Sequence, residues 1–462
     1  MPNPFELRGK RVLVVGLART GVATALFCAE RGAKVTATDA RTENEISEAI
    51  APLRAAGVSL ELGGHRENSF LEQDLIVPSP GVPADAPLLQ AARAKGVTIW
   101  SEVELADRFL RGRLIGITGS NGKTTTTSLI DHILKNAGFS TILAGNIGTP
   151  LIARVGQTSG DSITVVELSS FQLELIETFR PNISVFLNLT PDHLDRHHTL
   201  EAYGRAKARI FENQTEADSA VLNADDPATT PLAPTKPQVY WVSRKQRVAQ
   251  GAFVRGNEIV FRRDGQEEAV LHLKDIPLAG GHNVENALAA VAAARLAGAQ
   301  PEAIARGIRS FAGVEHRLEF VAEIVGVRYY NDSKATNVDA TLKALDAFPG
   351  RILIVLGGKD KGSDYTVLQK PLREKAILAL LIGAAAEKIE NQITGSVAIE
   401  RAGTIERAVE IASLAARPGD VVLLAPACAS FDQFQNYEHR GRVFKDLVHQ
   451  LERQAASTSA RG

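Results

Sequence analysis

The chain has 462 residues, 52 Lys+Arg against 53 Asp+Glu and a net charge of −1, with 44% hydrophobic residues. That length suggests about three domains. The balanced charge offers neither a basic field for nucleic acid nor a polybasic tract for a membrane. Cys28 and Cys428 are the two cysteines, which argues against a disulfide framework or a thiolate metal site and fits a reducing compartment.

No basic-then-apolar leader opens the sequence. Its most apolar stretch, Ala376 to Ala386, is too short to span a bilayer, so a cytoplasmic protein without membrane insertion is expected. Residues 1–110 alternate apolar runs with helical patterns. Strands are predicted over Arg11–Gly16, Lys34–Asp39, Asp74–Val77 and Val97–Trp100, with a helix over Val22–Arg31. Such a βαβ series builds a parallel sheet and a Rossmann-like domain. Gly16-Leu-Ala-Arg-Thr-Gly21 is close to G-x-G-x-x-G, but Ala18 replaces the glycine that lets a pyrophosphate approach. A nucleotide diphosphate on this turn, or a tight turn with no ligand, are both open readings. Asp39 closes the second strand, where an acid binds a ribose hydroxyl. Ser79-Pro80-Gly81 follows another strand, as part of the same pocket or as an ordinary turn.

Residues 111–313 begin afresh. Leu114-Ile-Gly-Ile117 reads as a strand, Gly119-Ser120-Asn121-Gly122-Lys123-Thr124-Thr125 as a glycine turn, and Thr125–Ala137 as a helix. This order makes an anion cradle of backbone N–H groups and helix dipole. Lys123 would reach the outer phosphates and Thr124 would ligate Mg²⁺. The general phosphate-loop pattern places glycine where Ile117 stands, so the loop fits the narrower form T-G-x-N-G-K-T. Strands Ser162–Glu167 and Ile183–Asn188 end in polar residues, at the edge where parallel sheets hold ligands. Glu167 is a candidate for hydrated Mg²⁺ or for a helix cap. His193, in Asn188-Leu-Thr-Pro-Asp-His193, faces the same crevice. Lys207 lies in Tyr203-Gly-Arg-Ala-Lys-Ala-Arg209, where spacing does not separate it from a solvated basic face. A β-rich portion is expected over Gln238–Leu273 and an alanine-rich helix over Asn283–Ala297.

The pattern restarts near residue 314. Strands are expected over Val327–Tyr330, Ile352–Leu356, Ile377–Ile382 and Val421–Leu424, with a fraying tail from Ala455. Arg317 can clamp a phosphate. Asn331-Asp332-Ser-Lys334-Ala-Thr336-Asn337 follows a strand and is a polar site or a helix cap. Gly357-Gly-Lys-Asp-Lys361-Gly carries lysines for an anion or for solvent. Pro426-Ala-Cys-Ala-Ser430-Phe431 can present Ser430 and backbone N–H groups to a carboxylate.

In this order, these motifs resemble the ATP-dependent Mur ligases of peptidoglycan synthesis over nearly the whole chain. Asn331–Asn337 and Ala427–Gln433 point within the family to the branch that adds D-glutamate. The resemblance implies an α/β protein of three domains: a Rossmann-like UDP-substrate domain (1–110), a P-loop ATPase-type central domain (111–313) and a Rossmann-like amino-acid domain (314–462). It implies ATP, Mg²⁺ and a CO₂-derived carbamate on Lys207, with UDP-N-acetylmuramoyl-L-alanine and D-glutamate as substrates and a monomeric enzyme. By the same resemblance Lys123, His193 and Lys207 are catalytic, and Thr124, Glu167, His193 and the carbamate hold the metal. ATP falls to Gly119–Thr125, Asn283, Arg317 and Asp332. The UDP substrate falls to Arg19, Thr20, Gly21, Asp39, Arg41, Ser79, Pro80, Gly81, Asn146 and Ser169, and the amino acid to Lys334, Thr336, Lys361, Ser430, Phe431 and Tyr437. Another amino-acid specificity, or a nucleotide-binding regulator without turnover, are the competing readings.

Overall fold

The first sheet forms because short apolar runs alternate with helices, and its central strands are buried on both faces while the edge strands are partly exposed. It contains β1 (Arg11–Val15), β2 (Lys34–Asp39), β3 (Ser59–Leu62), β4 (Leu75–Pro78) and β5 (Thr98–Ile99), all parallel in the order β3-β2-β1-β4-β5. Successive strands run outward on one side of β1 until β4 returns to its other side. The crevice of such a sheet opens at that reversal, where β1 and β4 lead into Gly16 and Ser79. The computed structural model describes residues 5–146, 148–278, 280–360 and 362–459.

The second sheet holds β6 (Arg113–Thr118), β7 (Thr141–Gly145), β8 (Ile163–Glu167), β9 (Ile183–Phe186), β10 (Ser219–Asn223), β11 (Gln238–Ser243), β12 (Gly251–Arg255), β13 (Glu258–Arg263) and β14 (Gln266–His272). Their order is β14-β13-β12-β11-β10-β9-β6-β8-β7, and only β13 and β14 join in antiparallel fashion. β6 lies between β8 and β9, so the phosphate loop, Glu167 and Asn188 emerge side by side.

The third sheet contains β15 (Glu319–Ile324), β16 (Val327–Asn331), β17 (Ile352–Gly357), β18 (Ala376–Ile382), β19 (Ile399–Gly403) and β20 (Val421–Leu424), in the order β15-β16-β20-β17-β18-β19. β15 is antiparallel and the rest are parallel. Strands β17, β18 and β20 are the buried centre, and Asn331, Gly357 and Leu424 end on one edge.

The chain divides into two compact units, one reaching to Asp275 and taking up Glu285–Ser310, the other made of Ile276–Val284 and the residues from Phe311 onward. In the first unit both sheets share a core that runs from Val12 and Trp100 to Leu173 and Phe186. Glu104, fully buried, accepts backbone N–H bonds from Glu177 (2.8 Å), Thr178 (2.9 Å) and Phe179 (2.8 Å), and pairs with Arg108. Burial pushes its carboxyl up, but these donors outweigh burial and leave it below the ordinary value. At the other terminus, the helix Tyr437–Ser459 carries past Ala455. Ala455 and Ala456 favour helix strongly enough to extend it.

Candidate active site

The phosphate loop, Glu167, Asp39 and Ser79 stand where parallel strands end, while Lys207 comes from the helix Leu200–Ala208. β6 gives way to Gly119, and Gly122 caps the helix Lys123–Asn136 with φ +81°. A Cβ on Gly122 would lie 2.3 Å from Asn286 Oδ1. Only glycine combines that backbone with that approach. Gly122→Ala is expected to cost about 1–3 kcal/mol of stability, read by chemical denaturation; an unchanged midpoint would refute this account of the turn. The loop is strapped to the end of β9. Ser120 N donates to Asn188 O (2.9 Å), Asn121 N to Asn188 Oδ1 (2.8 Å), and Ser120 Oγ to Thr190 O (2.9 Å). Thr124 and Thr125 are buried just inside the helix.

Two lysines converge on one carbonyl. Lys123 Nζ donates to Gly119 O and Ser120 O, both at 2.8 Å. Lys207 Nζ donates to the same Gly119 O at 2.8 Å and lies 4.5 Å from the centre of the Tyr203 ring. Lys207 is 1% exposed, so the solvated-face reading fails for it. Burial drives its amine well below the ordinary lysine value, the Lys123 charge pushes in the same direction, and Asp192 and Glu167 oppose them.

Glu167 ends β8 with 2% exposure, and its Oε1 accepts from Asn146 Nδ2 at 2.8 Å. The cap is Ser169 instead: its Oγ accepts from Gln172 N at 3.2 Å at the head of the short helix Ser170–Leu173. Asn146 is thereby set beside Glu167. His193 has φ +53°, is 47% exposed at its side chain and meets the Phe171 ring edge-on at 4.9 Å. Among the described residues no group of three or more His, Cys, Asp and Glu side chains is placed to hold a metal. A Thr124 hydroxyl with the Glu167 carboxylate is the hard oxygen donor set that suits Mg²⁺.

At the first sheet's crevice, Gly21 sits so close to Gly16 that a Cβ would lie 1.8 Å from Gly16 O. Ser79 Oγ donates to Gly16 O at 2.7 Å, bringing Ser79, Pro80 and Gly81 to the turn that carries Arg19 and Thr20. Asp39 accepts from Leu17 N (2.7 Å) and forms two contacts with the Arg41 guanidinium (3.0 and 2.8 Å). Burial would raise its carboxyl, yet Arg41 and the two backbone N–H groups hold it down at about 2. Arg19 Nη1 donates to Gly148 O at 3.2 Å, so this turn adjoins the loop that carries Asn146.

The second unit has its own polar cluster. Asp332 is 3% exposed, and burial pushes its carboxyl up to about 6 against the pull of Arg317, the Leu318 N–H and Lys334. Asp332 Oδ1 and Arg317 Nε are buried with no hydrogen-bond partner among the described residues. Such atoms ask for a ligand. Capping within the motif falls to Asn337, whose Oδ1 accepts from Ala340 N at 2.8 Å, which leaves Asp332 and Lys334 for other work. Lys334 Nζ stands 5.6 Å from the Tyr437 ring centre, Asn283 and Ser430 are buried, and Phe431 is exposed. Thr336 N bonds Lys334 O at 2.8 Å, while Lys361 lies outside the described residues.

Asn188 reads in the sequence as a polar strand end at the ligand edge. Three other residues that hold these loops, Asn286, Tyr203 and Arg440, carried no signal. Arg440 is fully buried and donates to Ser333 Oγ (2.9 Å), Ser333 O (2.8 Å) and Cys428 O (3.2 Å), joining the two loops of the polar cluster. Burial lowers its guanidinium to about 10, so it stays cationic at neutral pH.

Three family models match the chain: the N-terminal domain of MurD-like Mur ligases over residues 10–101, the Mur ligase middle domain over 117–294, and the Mur ligase glutamate ligase domain over 316–428. The chain is 55% identical to the UDP-N-acetylmuramoylalanine–D-glutamate ligase of Acidobacterium capsulatum, covering 96% of this chain and 97% of that one. It is 53% identical to the ligase of the same name from Koribacter versatilis, covering 97% and 99%. Among solved structures, MurF ligase from Thermotoga maritima in complex with ADP matches with a TM-score of 0.60 at 17% identity, over 97% of each chain. UDP-N-acetylmuramate-alanine ligase MurC from the same organism matches at 0.58 and 19% identity, over 96% and 99%. These two likenesses speak for the fold alone.

Proposed function

The chain belongs to the Mur ligase family, and from that membership we propose that it joins D-glutamate to UDP-N-acetylmuramoyl-L-alanine at the expense of ATP, in peptidoglycan precursor synthesis. The observation that carries this reading is identity above half, over nearly the full length of both chains, with ligases of that name.

A carboxylate does not condense with an amine in water, because its oxygen leaves poorly. Transfer of the γ-phosphoryl group to that oxygen makes an acyl phosphate and ADP. The neutral amino group of glutamate then adds to the acyl carbon, and the tetrahedral adduct expels phosphate. Such chemistry needs positioning and charge neutralisation rather than covalent help from the protein. The N–H groups of Gly119–Thr125 and the Lys123 ammonium take the phosphates. Thr124, Glu167, His193 and a carbamate on Lys207 would hold Mg²⁺, which when bound neutralises charge on the transferring group. Arg19, Thr20, Gly21, Asp39, Arg41, Ser79–Gly81, Asn146 and Ser169 take the UDP-linked acid. In the second unit, Asn283, Arg317 and Asp332 serve the nucleotide; Lys334, Thr336, Lys361, Ser430, Phe431 and Tyr437 serve glutamate. We take residues 1–110, 111–313 and 314–462 as the corresponding domains. No helix among the described residues is long and apolar enough to cross a membrane, and we read the protein as a cytoplasmic monomer.

Phosphate release with the UDP-linked acid, Mg²⁺ and either enantiomer of glutamate tests the reading. D-glutamate is expected to support turnover and L-glutamate to fail. Turnover only with another amino acid would move the protein elsewhere in the family, and silence with every donor would leave a regulator without turnover.

A further inference from the structure

Glu102 opens the helix Glu102–Asp107, just after the last strand of the first sheet, and is 1% exposed. Its Oε1 accepts from Ile152 N at 2.6 Å. Burial pushes its carboxyl up to about 7, opposed by the Ile152 N–H, the Gln172 side-chain amide and the Leu151 N–H. All three are neutral donors. Enclosing a carboxylate with no cation in that set is unfavourable, and an apolar residue would pack there at lower cost. Its Oε2 is buried with no hydrogen-bond partner among the described residues, and the bond to Ile152 suggests what offsets that cost.

Ile152 stands in the turn Leu151–Gln157, directly after the loop that carries Asn146 and Gly148. That loop is closed by Gly145 N to Thr149 O at 2.9 Å, and Asn146 Nδ2 reaches Glu167 Oε1 at 2.8 Å. One carboxylate of the first sheet thus grips the base of the second-sheet loop that sets Asn146 against Glu167. Glu104, two residues further along the helix, is a contrast: its acceptors are filled by residues 177–179 and Arg108, and none of those is a proposed ligand contact.

We propose that Glu102 is a positioning residue for the UDP-linked acid: through Ile152 it fixes the loop that sets Asn146 against Glu167. The inference rests on the assignment of Asn146 to that substrate. Because Glu102 acts through other residues and touches neither ATP nor glutamate contacts, its loss should be selective.

Glu102→Gln keeps the shape and removes the charge. In steady-state assays it is expected to raise KM for UDP-N-acetylmuramoyl-L-alanine about tenfold, the scale of losses when a supporting partner is removed, with KM for ATP and for D-glutamate within about twofold of wild type. Glu102→Asp should recover part of that loss. Glu104→Gln should lower the thermal midpoint without the KM split. If Glu102→Gln fails to fold, Glu102→Asp, which shortens the reach to Ile152 N, should show the same split in weaker form. Equal rises in all three KM values, or an unchanged KM for the UDP-linked acid in a folded variant, overturns the inference. Calorimetric titration of the wild-type protein with that acid separates the two layers. Binding there with no split in the variants sinks only the role of Glu102, whereas no binding sinks the substrate assignment and the inference together.

Discussion

Lys123→Ala is expected to lower ATP cleavage by at least about 10²–10³-fold, the usual cost of removing a donor aimed at developing charge, while UDP-N-acetylmuramoyl-L-alanine binds within about twofold of wild type. The Lys123 ammonium is held at the mouth of the cradle by Gly119 O and Ser120 O, both at 2.8 Å. Those are neutral acceptors that a bound triphosphate can replace with charged ones. The remaining loop should survive the substitution, because it keeps its bonds to Asn188 and Thr190 when those from Lys123 are lost. Thr127 Oγ1 bonds the backbone carbonyl of residue 123, which alanine retains. The first-sheet turn, built from Gly16, Ser79, Asp39 and Arg41, shares none of these hydrogen bonds. Calorimetry with each ligand and a coupled ADP assay read the two effects separately. Equal loss of nucleotide and UDP-substrate binding would contradict the division of labour between the sheets.

What the sequence disclosed follows burial. The strands that ran apolar on both faces, such as β1, β17 and β20, were legible to within a residue at their starts, because a short apolar run between turn residues has little else to become. Strands β3, β7, β10, β15 and β19 were not foreseen. All but the interior, buried β10 lie at a sheet edge, and exposed positions of β3, β15 and β19 carry Ser, Glu and Arg, which blurs the pattern. The site divided similarly. Lys123, Thr124, Glu167 and Asp332 follow strands in the chain, so order alone placed them. Lys207 could not be chosen over Arg205 and Arg209 by spacing; what separates it is its burial against Tyr203 and the Gly119 carbonyl, a tertiary fact. Arg440 and Glu102 are more opaque still. On a helix, a charged residue reads as a solvated face unless the fold is known to close over it.

That closure gives Lys207 its expected chemistry. A buried amine beside another ammonium, pushed well below the ordinary lysine value, gives up its proton more readily than a surface lysine does, and only the neutral form attacks CO₂. The nitrogen lone pair forms the new bond to carbon, one C=O electron pair moves to oxygen, and a nitrogen proton leaves to water. The product keeps one N–H for Gly119 O and turns a cation that would repel Mg²⁺ into an anionic oxygen donor of the kind that ion takes. It also gives Lys123, which shares the Gly119 carbonyl, an opposite charge in place of a like one. Protein held under isotopically labelled CO₂ should yield a Lys207 peptide heavier by one CO₂, and a carbamate carbon resonance that vanishes in Lys207→Ala. That variant should lose about 10²–10³-fold in turnover and regain part of it with a small carboxylate such as acetate, which can place an oxygen in the vacated space. Full turnover after thorough CO₂ depletion, with only unmodified lysine at 207, would show that the free amine serves in the site as it stands.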